Sequence, residues 1–180
     1  MQNVGLFFDT ARERYRILLR RRDGAKKPWS DDPIFQEWRF CNVFREDDAS
    51  TTWLRDNVRG PMSAQHRSQT DITLAIAIYR WFNKPSVGEI VKDLLLTGWD
   101  NTIAAERLYN VRPIVTGAYM IRTPEGLNKL DGVLSYAEYA QENVPDFNQW
   151  TTLRGAWTDL KTLDGLGPFL AAEVVQDLRW

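Results

Sequence analysis

Two glycines separated by one leucine and followed at once by proline, Gly165-Leu166-Gly167-Pro168, restrict this chain more than any other stretch. Proline has a fixed φ and no N–H, so inside a helical pattern it can only open a helix, at the first position. The spacing predicts a helix ending at Leu163, a tight turn, and a second helix from Pro168 through Val175. The glycines are expected to admit backbone conformations that a side chain would forbid, and to leave their N–H groups open. Leu166 is then the plug that seats the turn on a core, and the small Ala171 lets the two helices approach closely. Amides at a helix start attract an anion such as a DNA phosphate, which makes Gly165, Leu166, Gly167, Pro168 and Phe169 the candidate DNA-binding residues. The same residues would also serve an ordinary corner between helices. A contact of this kind positions the duplex without reading its sequence. Asp164 opposes it electrostatically, unless it caps the turn or helps hold a cation there, Mg²⁺ or a monovalent ion.

The rest of the chain predicts a single helical domain, all-α in class, over residues 1–180. Leu6, Phe7, Tyr15, Leu18 and Leu19 recur at roughly helical spacing, so 6–22 reads as a helix stopped by Gly24. Asp32-Pro33 starts a short helix toward Arg39. Ser50 or Thr51 is placed to cap another that ends before Gly60-Pro61. Residues 70–83 (Ile72, Leu74, Ala75, Ile76, Ile78, Tyr79, Phe82) are apolar almost all round, the mark of a central helix. Asn83-Lys84-Pro85 breaks it. Helices follow at 86–96, at 100–110 behind Asp100 or Asn101, at 135–143 and at about 146–162. Residues 113–123 read as a short strand or a bent connection.

Composition excludes several classes. Cys41 is the one cysteine and His66 the one histidine, so neither an internal disulfide nor an ordinary structural zinc site can form. Cys41 reads as a buried core residue and His66 as a surface loop residue. No signal-peptide pattern and no membrane-length apolar run occurs, which points to the cytoplasm. The formal net charge of -1 predicts no nucleic-acid partner by itself. Its distribution is uneven, however. Arg12, Arg14, Arg16, Arg20, Arg21, Arg22, Lys26 and Lys27 face only Glu13 and Asp23 over the same stretch. That stripe is either a phosphate-facing surface or a solvated helix face.

A second polar constellation lies at 38–57. Arg39, Arg45 and Arg55 could clamp a phosphate or pyrophosphate bidentately. Asn42 adds an amide, the adjacent carboxylates Glu46, Asp47 and Asp48 could hold Mg²⁺ or act as a general base, and Phe40 and Trp53 could stack on an extruded base. The alternative is a salt-bridged, capped loop between helices.

The C-terminal pattern resembles the helix–hairpin–helix motif of DNA glycosylases, with Asp164 where proline is usual and Leu170 where threonine is usual. Glycosylases that also cut the strand carry a lysine two positions after the second glycine, where this chain has Phe169. Gly5-Leu6-Phe7-Phe8, Trp29-Ser30-Asp31-Asp32-Pro33, Arg39-Phe40-Cys41-Asn42-Val43, Arg45-Glu46-Asp47-Asp48 and Trp53-Leu54-Arg55-Asp56-Asn57 resemble the helical domain of 5-hydroxymethyluracil DNA kinases. The same domain occurs in the alpha-glutamyl/putrescinyl-thymine pyrophosphorylase family. The resemblance implies a fold similar to helix–hairpin–helix glycosylases and a role in thymine hypermodification of phage-type DNA. It implies an amino acid or polyamine co-substrate that displaces pyrophosphate from the modified base. A glycosylase-like hydrolase and a non-catalytic module serving a separate DNA kinase are the other readings. The P-loop of the kinases does not occur in these residues. The resemblance also leads one to expect further residues, and an essential aspartate, beyond Trp180.

Overall fold

The computed structural model describes residues 2–38, 40–117, 121–145 and 149–178, except for the side chains of Gln2 and Asn3. Every regular element among the described residues is helical, in agreement with the all-α expectation. None of these helices is long and apolar enough to cross a membrane. The chain divides into two compact units, 1–48 and 49–180.

The second unit is organised around the apolar run foreseen at 70–83. Helix α5, Gln69–Phe82, buries Ile72, Ala75, Ile76, Ile78, Tyr79, Trp81 and Phe82. Full burial of such a side chain contributes about 1.5–3 kcal/mol. Ser68 caps the helix, its hydroxyl accepting from the Asp71 N–H at 3.1 Å. Asn83 ends it in the left-handed region at φ 46°. Around α5 pack α6 (Pro85–Thr97), α8 (Lys129–Asn143) and α10 (Pro168–Leu178). Helix α7, Asn101–Leu108, bridges α6 and α8, and α9, Leu153–Leu160, lies on α10.

Two helix boundaries differ from expectation because capping decides them. Asn128 accepts from the Leu130 and Asp131 N–H groups, so α8 starts well before residue 135. Thr152 accepts from the Gly155 N–H, which delays α9 to Leu153. That helix also closes at Leu160, before Leu163. The described part of 113–123 is a connection without a strand.

Helix α3, Ala49–Leu54, does not stop before Gly60-Pro61. It runs through a π turn, Arg55–Arg59, into α4, Gly60–Ala64. Proline lacks the donor and crowds the preceding carbonyls, and widening by one residue relieves that conflict. The Gly60 N–H bonds to the Arg55 carbonyl. A Cβ on Gly60 would stand 2.9 Å from that oxygen, so the turn requires glycine there. Ser50 and Thr51 lie inside α3, buried, rather than at its cap.

The first unit has little apolar interior. Helix α1, Gln2–Arg22, ends where Gly24 takes φ 77°, and α2, Pro33–Glu37, starts at Asp32, whose carboxylate accepts from the Ile34 N–H at 2.9 Å. Its buried side chains among the described residues are Arg14, Ile17, Leu18 and Ser30. The basic stripe is laced with acids: Arg12 pairs with Asp9, Arg16 and Arg20 with Glu13, and Arg22 with Asp47. Burial works against the Glu13 charge, but hydrogen bonds from Ser30 and Arg20 outweigh it and lower its pKa.

Candidate functional site

The turn between α9 and α10 is built from short backbone bonds. Thr162 donates to Asp159, Leu163 to Leu160 and Leu166 to Leu163, at 3.0–3.1 Å. Leu166 is fully buried and Leu163 nearly so. Ala171 is likewise buried, and its N–H donates to the Gly167 carbonyl at 3.0 Å. Pro168 opens α10, and Phe169 is exposed in its first turn.

The two glycines have different jobs, contrary to the symmetrical expectation. Gly165 has φ +77°, and a Cβ there would lie 2.4 Å from Tyr136 Cδ2. The fold itself demands glycine at 165. Gly167 has no positive φ, and a Cβ there would meet nothing within 4 Å. Its N–H donates to no described residue. Nothing inside the chain asks for glycine at 167, whereas a ligand approaching the backbone would.

Two aromatic side chains fix the surroundings of this turn. The Tyr136 ring supports Gly165, while its hydroxyl donates to the Arg122 carbonyl at 2.7 Å. Burial raises the Tyr136 pKa, and the negative charge of Asp164 raises it further. The Trp157 indole N–H donates across the turn to the Pro168 carbonyl at 2.9 Å, and the Lys161 ammonium sits 4.3 Å from the same ring's centroid.

The constellation at 38–57 resolves differently. Arg39 lies outside the described residues. Arg14, buried on α1, donates through Nε to the Phe40 carbonyl at 3.0 Å and through Nη2 to Asn42 Oδ1 at 2.5 Å. Asn42 in turn donates to the Asp47 carbonyl, and the Asp47 carboxylate pairs with Arg22 at 2.9 Å. Asn42 and Asp47 thus hold a loop in place. Arg45, Glu46 and Asp47 form one 3₁₀ turn, followed by the exposed Asp48. Phe40 is partly exposed and packs on Phe35 at a centroid distance of 4.9 Å. Cys41 is exposed rather than buried: its loop is held by polar bonds from Arg14 to the flanking Phe40 carbonyl and Asn42 amide.

Trp53 is not available to stack on a base. It is buried, lies parallel to Tyr79 at 4.8 Å, covers Gly88, and donates its indole N–H to Glu89. Arg55 pairs with its neighbour Asp56 at 2.7 Å, and the hydrogen bond from Arg55 holds that carboxyl below its ordinary value.

Sequence reading passed over the most deeply buried charge, Arg80. Its guanidinium holds Asp177 twice, at 2.6 and 2.9 Å, and reaches Asn83, Ser50 and Thr51 at 2.7–3.2 Å. Arg59 adds a bond to the Asp177 carbonyl. This network ties the second helix of the turn, α10, to the central α5 and to α3. The signal was present: an arginine inside an otherwise apolar, all-round buried helix must find a paired acid.

A family model described as the 5-hmdU DNA kinase helical domain matches residues 2–180. A 5-hmdU DNA kinase of Bacillus phage SP10 is 25% identical over 193 residues, covering 96% of this chain and 30% of the kinase. The chain therefore spans less than a third of that relative's length. No solved structure matches it significantly.

Proposed function

The chain belongs to the 5-hmdU DNA kinase helical-domain family, and from that premise we propose that it is a DNA-holding domain in the modification of 5-hydroxymethyluracil in phage DNA. The observation that carries this reading is Gly167, open to its surroundings at the start of α10 with its N–H unused, beside a turn anchored by buried Leu166. A phosphate placed there meets a backbone donor and the positive end of an 11-residue helix. The Arg80–Asp177 network keeps that helix fixed on the core, so the contact is preorganised. With the backbone held, a modified base can be extruded toward a reacting centre. In this reading the helix–hairpin–helix unit supplies position, and the phosphoryl transfer belongs to a kinase domain it serves.

Fluorescence anisotropy with a labelled duplex containing 5-hydroxymethyluracil tests the assignment. Binding that weakens at least tenfold in Gly167→Val, with an unchanged melting curve, is the expected result. Equal binding by that variant and the parent chain would remove the hairpin from the interface.

Amine transfer to a pyrophosphorylated 5-hydroxymethyluracil is the second reading. It draws on Arg45, Glu46 and Asp47, which place one cation and two carboxylates in a single turn with Asp48 next. The guanidinium would neutralise pyrophosphate, and a carboxylate would accept the amine's proton as the base–nitrogen bond forms. The chain would be incubated with DNA bearing the pyrophosphorylated base, amino acids and polyamines, and the nucleosides analysed by mass spectrometry. A new adduct lost in Arg45→Ala supports transfer. An unchanged base on bound DNA leaves the holding role alone.

A further inference from the structure

Two cationic residues outside those already assigned are tied to the hairpin turn through one aromatic side chain each, Arg122 by its backbone carbonyl and Lys161 by its ammonium. Tyr136 lies against Gly165 with its ring and holds the Arg122 carbonyl with its hydroxyl, so a single tyrosine side chain spans from the turn to residue 122. Trp157 bonds to the Pro168 carbonyl, and Lys161 rests its ammonium on the same indole. Both cations are exposed, and neither makes an ion pair or side-chain hydrogen bond among the described residues. Most other arginines of known placement are engaged. Arg107, for example, is held by Asp93 at 2.5 and 3.0 Å, and Arg80 is saturated in the interior.

The anchoring matters because a free surface cation loses side-chain entropy when it settles on a phosphate. Lys161 is already restrained by its ring contact, and the backbone at Arg122 is pinned by Tyr136. The segment that carries Arg122 is fastened further by Lys129, whose ammonium donates to the Ile121 carbonyl. The opposing charge is Asp164, exposed in the turn and close enough to Tyr136 for its carboxylate to disfavour the phenolate.

We propose that Arg122 and Lys161 are backbone-phosphate contacts that extend the DNA interface from the Gly167 amide onto the 121–124 loop and the end of α9. The inference rests on the hairpin reading given above. It makes the footprint wider than one amide contact and draws the connection between α7 and α8 into it. It also gives Asp164 a role, as a charge that weakens binding to the phosphate backbone.

The test is the salt dependence of duplex affinity for the full chain, because each phosphate neutralised adds about 0.9 to the slope of log K against log salt. Arg122→Gln and Lys161→Gln are each expected to weaken binding about threefold to tenfold at low salt and to reduce that slope by about one. The double variant should lose about two, and Asp164→Asn should bind more tightly than the parent. Arg107→Gln removes the same charge elsewhere and should leave the slope unchanged. Parent-like slopes in both Gln variants, with Gly167→Val still impaired, would overturn this inference and leave the hairpin reading intact. Slopes that fall equally in Arg107→Gln would overturn it too, as a mere net-charge effect. If Gly167→Val binds like the parent chain, the hairpin reading fails and this one with it.

Discussion

The two units of this chain are stabilised by different means. Residues 49–180 contribute every member of the continuous apolar core, from Trp53 to Val175. Among the described residues of 1–48 only two large apolar side chains, Ile17 and Leu18, are buried, while Leu6, Phe7, Phe8, Ile34, Trp38 and Phe44 stay largely exposed. What organises the first unit is polar: buried Arg14 gripping the Phe40 carbonyl and Asn42, and Arg20 reaching Glu13 and the Trp29 carbonyl. Burial, and then repulsion from Arg21, lower the Arg14 pKa, so its charge is carried at a cost. An apolar core spreads its stabilisation over many contacts, whereas a clasp concentrates it in a few directional bonds. One substitution should therefore loosen the first unit locally, and the second unit should give way only where its own buried charges are touched.

The largest effect is expected where the second unit departs from its apolar rule. Asp177→Ala removes the carboxylate that holds the Arg80 guanidinium twice, leaving Glu173 4.0 Å away, and should cost about 3–5 kcal/mol in denaturant unfolding. A loss below about 1 kcal/mol would mean that neighbours or water take over, and the contrast with the first unit would blur. Gly165→Ala comes next, at about 1–3 kcal/mol, because it strains a positive φ and drives a methyl group into Tyr136. Gly167→Ala should change stability by less than about 0.5 kcal/mol in a melting experiment. Equal costs at the two positions would erase the distinction between the fold's glycine and the ligand's.

In the first unit, Arg14→Met should remove about 1–3 kcal/mol of local stability. Hydrogen exchange reads this as faster exchange around α1 and 40–47, with the midpoint of the second unit unmoved. A shifted midpoint for the whole chain would show that the two units melt together. The smallest expected effect is in alkali. The folded-state Tyr136 pKa lies above the unfolded value of about 10, so its contribution is fully present below pH 10 and is lost as pH rises toward the folded value. Tyr136→Phe should flatten the stability profile above about pH 10.

What could be read in advance followed local rules. The apolar run at 72–82, the proline starts at 33 and 168, and the caps at Asp32 and Asp100 all depend on residues within one turn of each other. Long-range partners left no such trace. Arg80 and Asp177 are 97 positions apart, and nothing near either names the other. Trp53 shows the limit for the candidate site. A tryptophan beside arginines looks the same in sequence whether its face is offered to a base or, as here, pressed on Tyr79. Arg14 hid for a similar reason, since one inward arginine is indistinguishable from its outward neighbours until the loop that receives it is placed.

The π turn at 55–59 carries a consequence for how this region tolerates change. An extra residue in one turn acts as an insertion held in register: Leu54 before it, Val58 within it and Met62 after it all remain core-facing. Removing one residue from 55–59 would let the segment close into an ordinary α-helix with the helices on either side still in register, and would bring back the conflict of Pro61 with the preceding turn that the wide turn relieves. The extra residue and Pro61 are therefore linked. A single-codon deletion beside Asp56 should be better tolerated with Pro61→Ala than in the parent chain, whereas substitutions of the exposed Asp56 itself should survive in both.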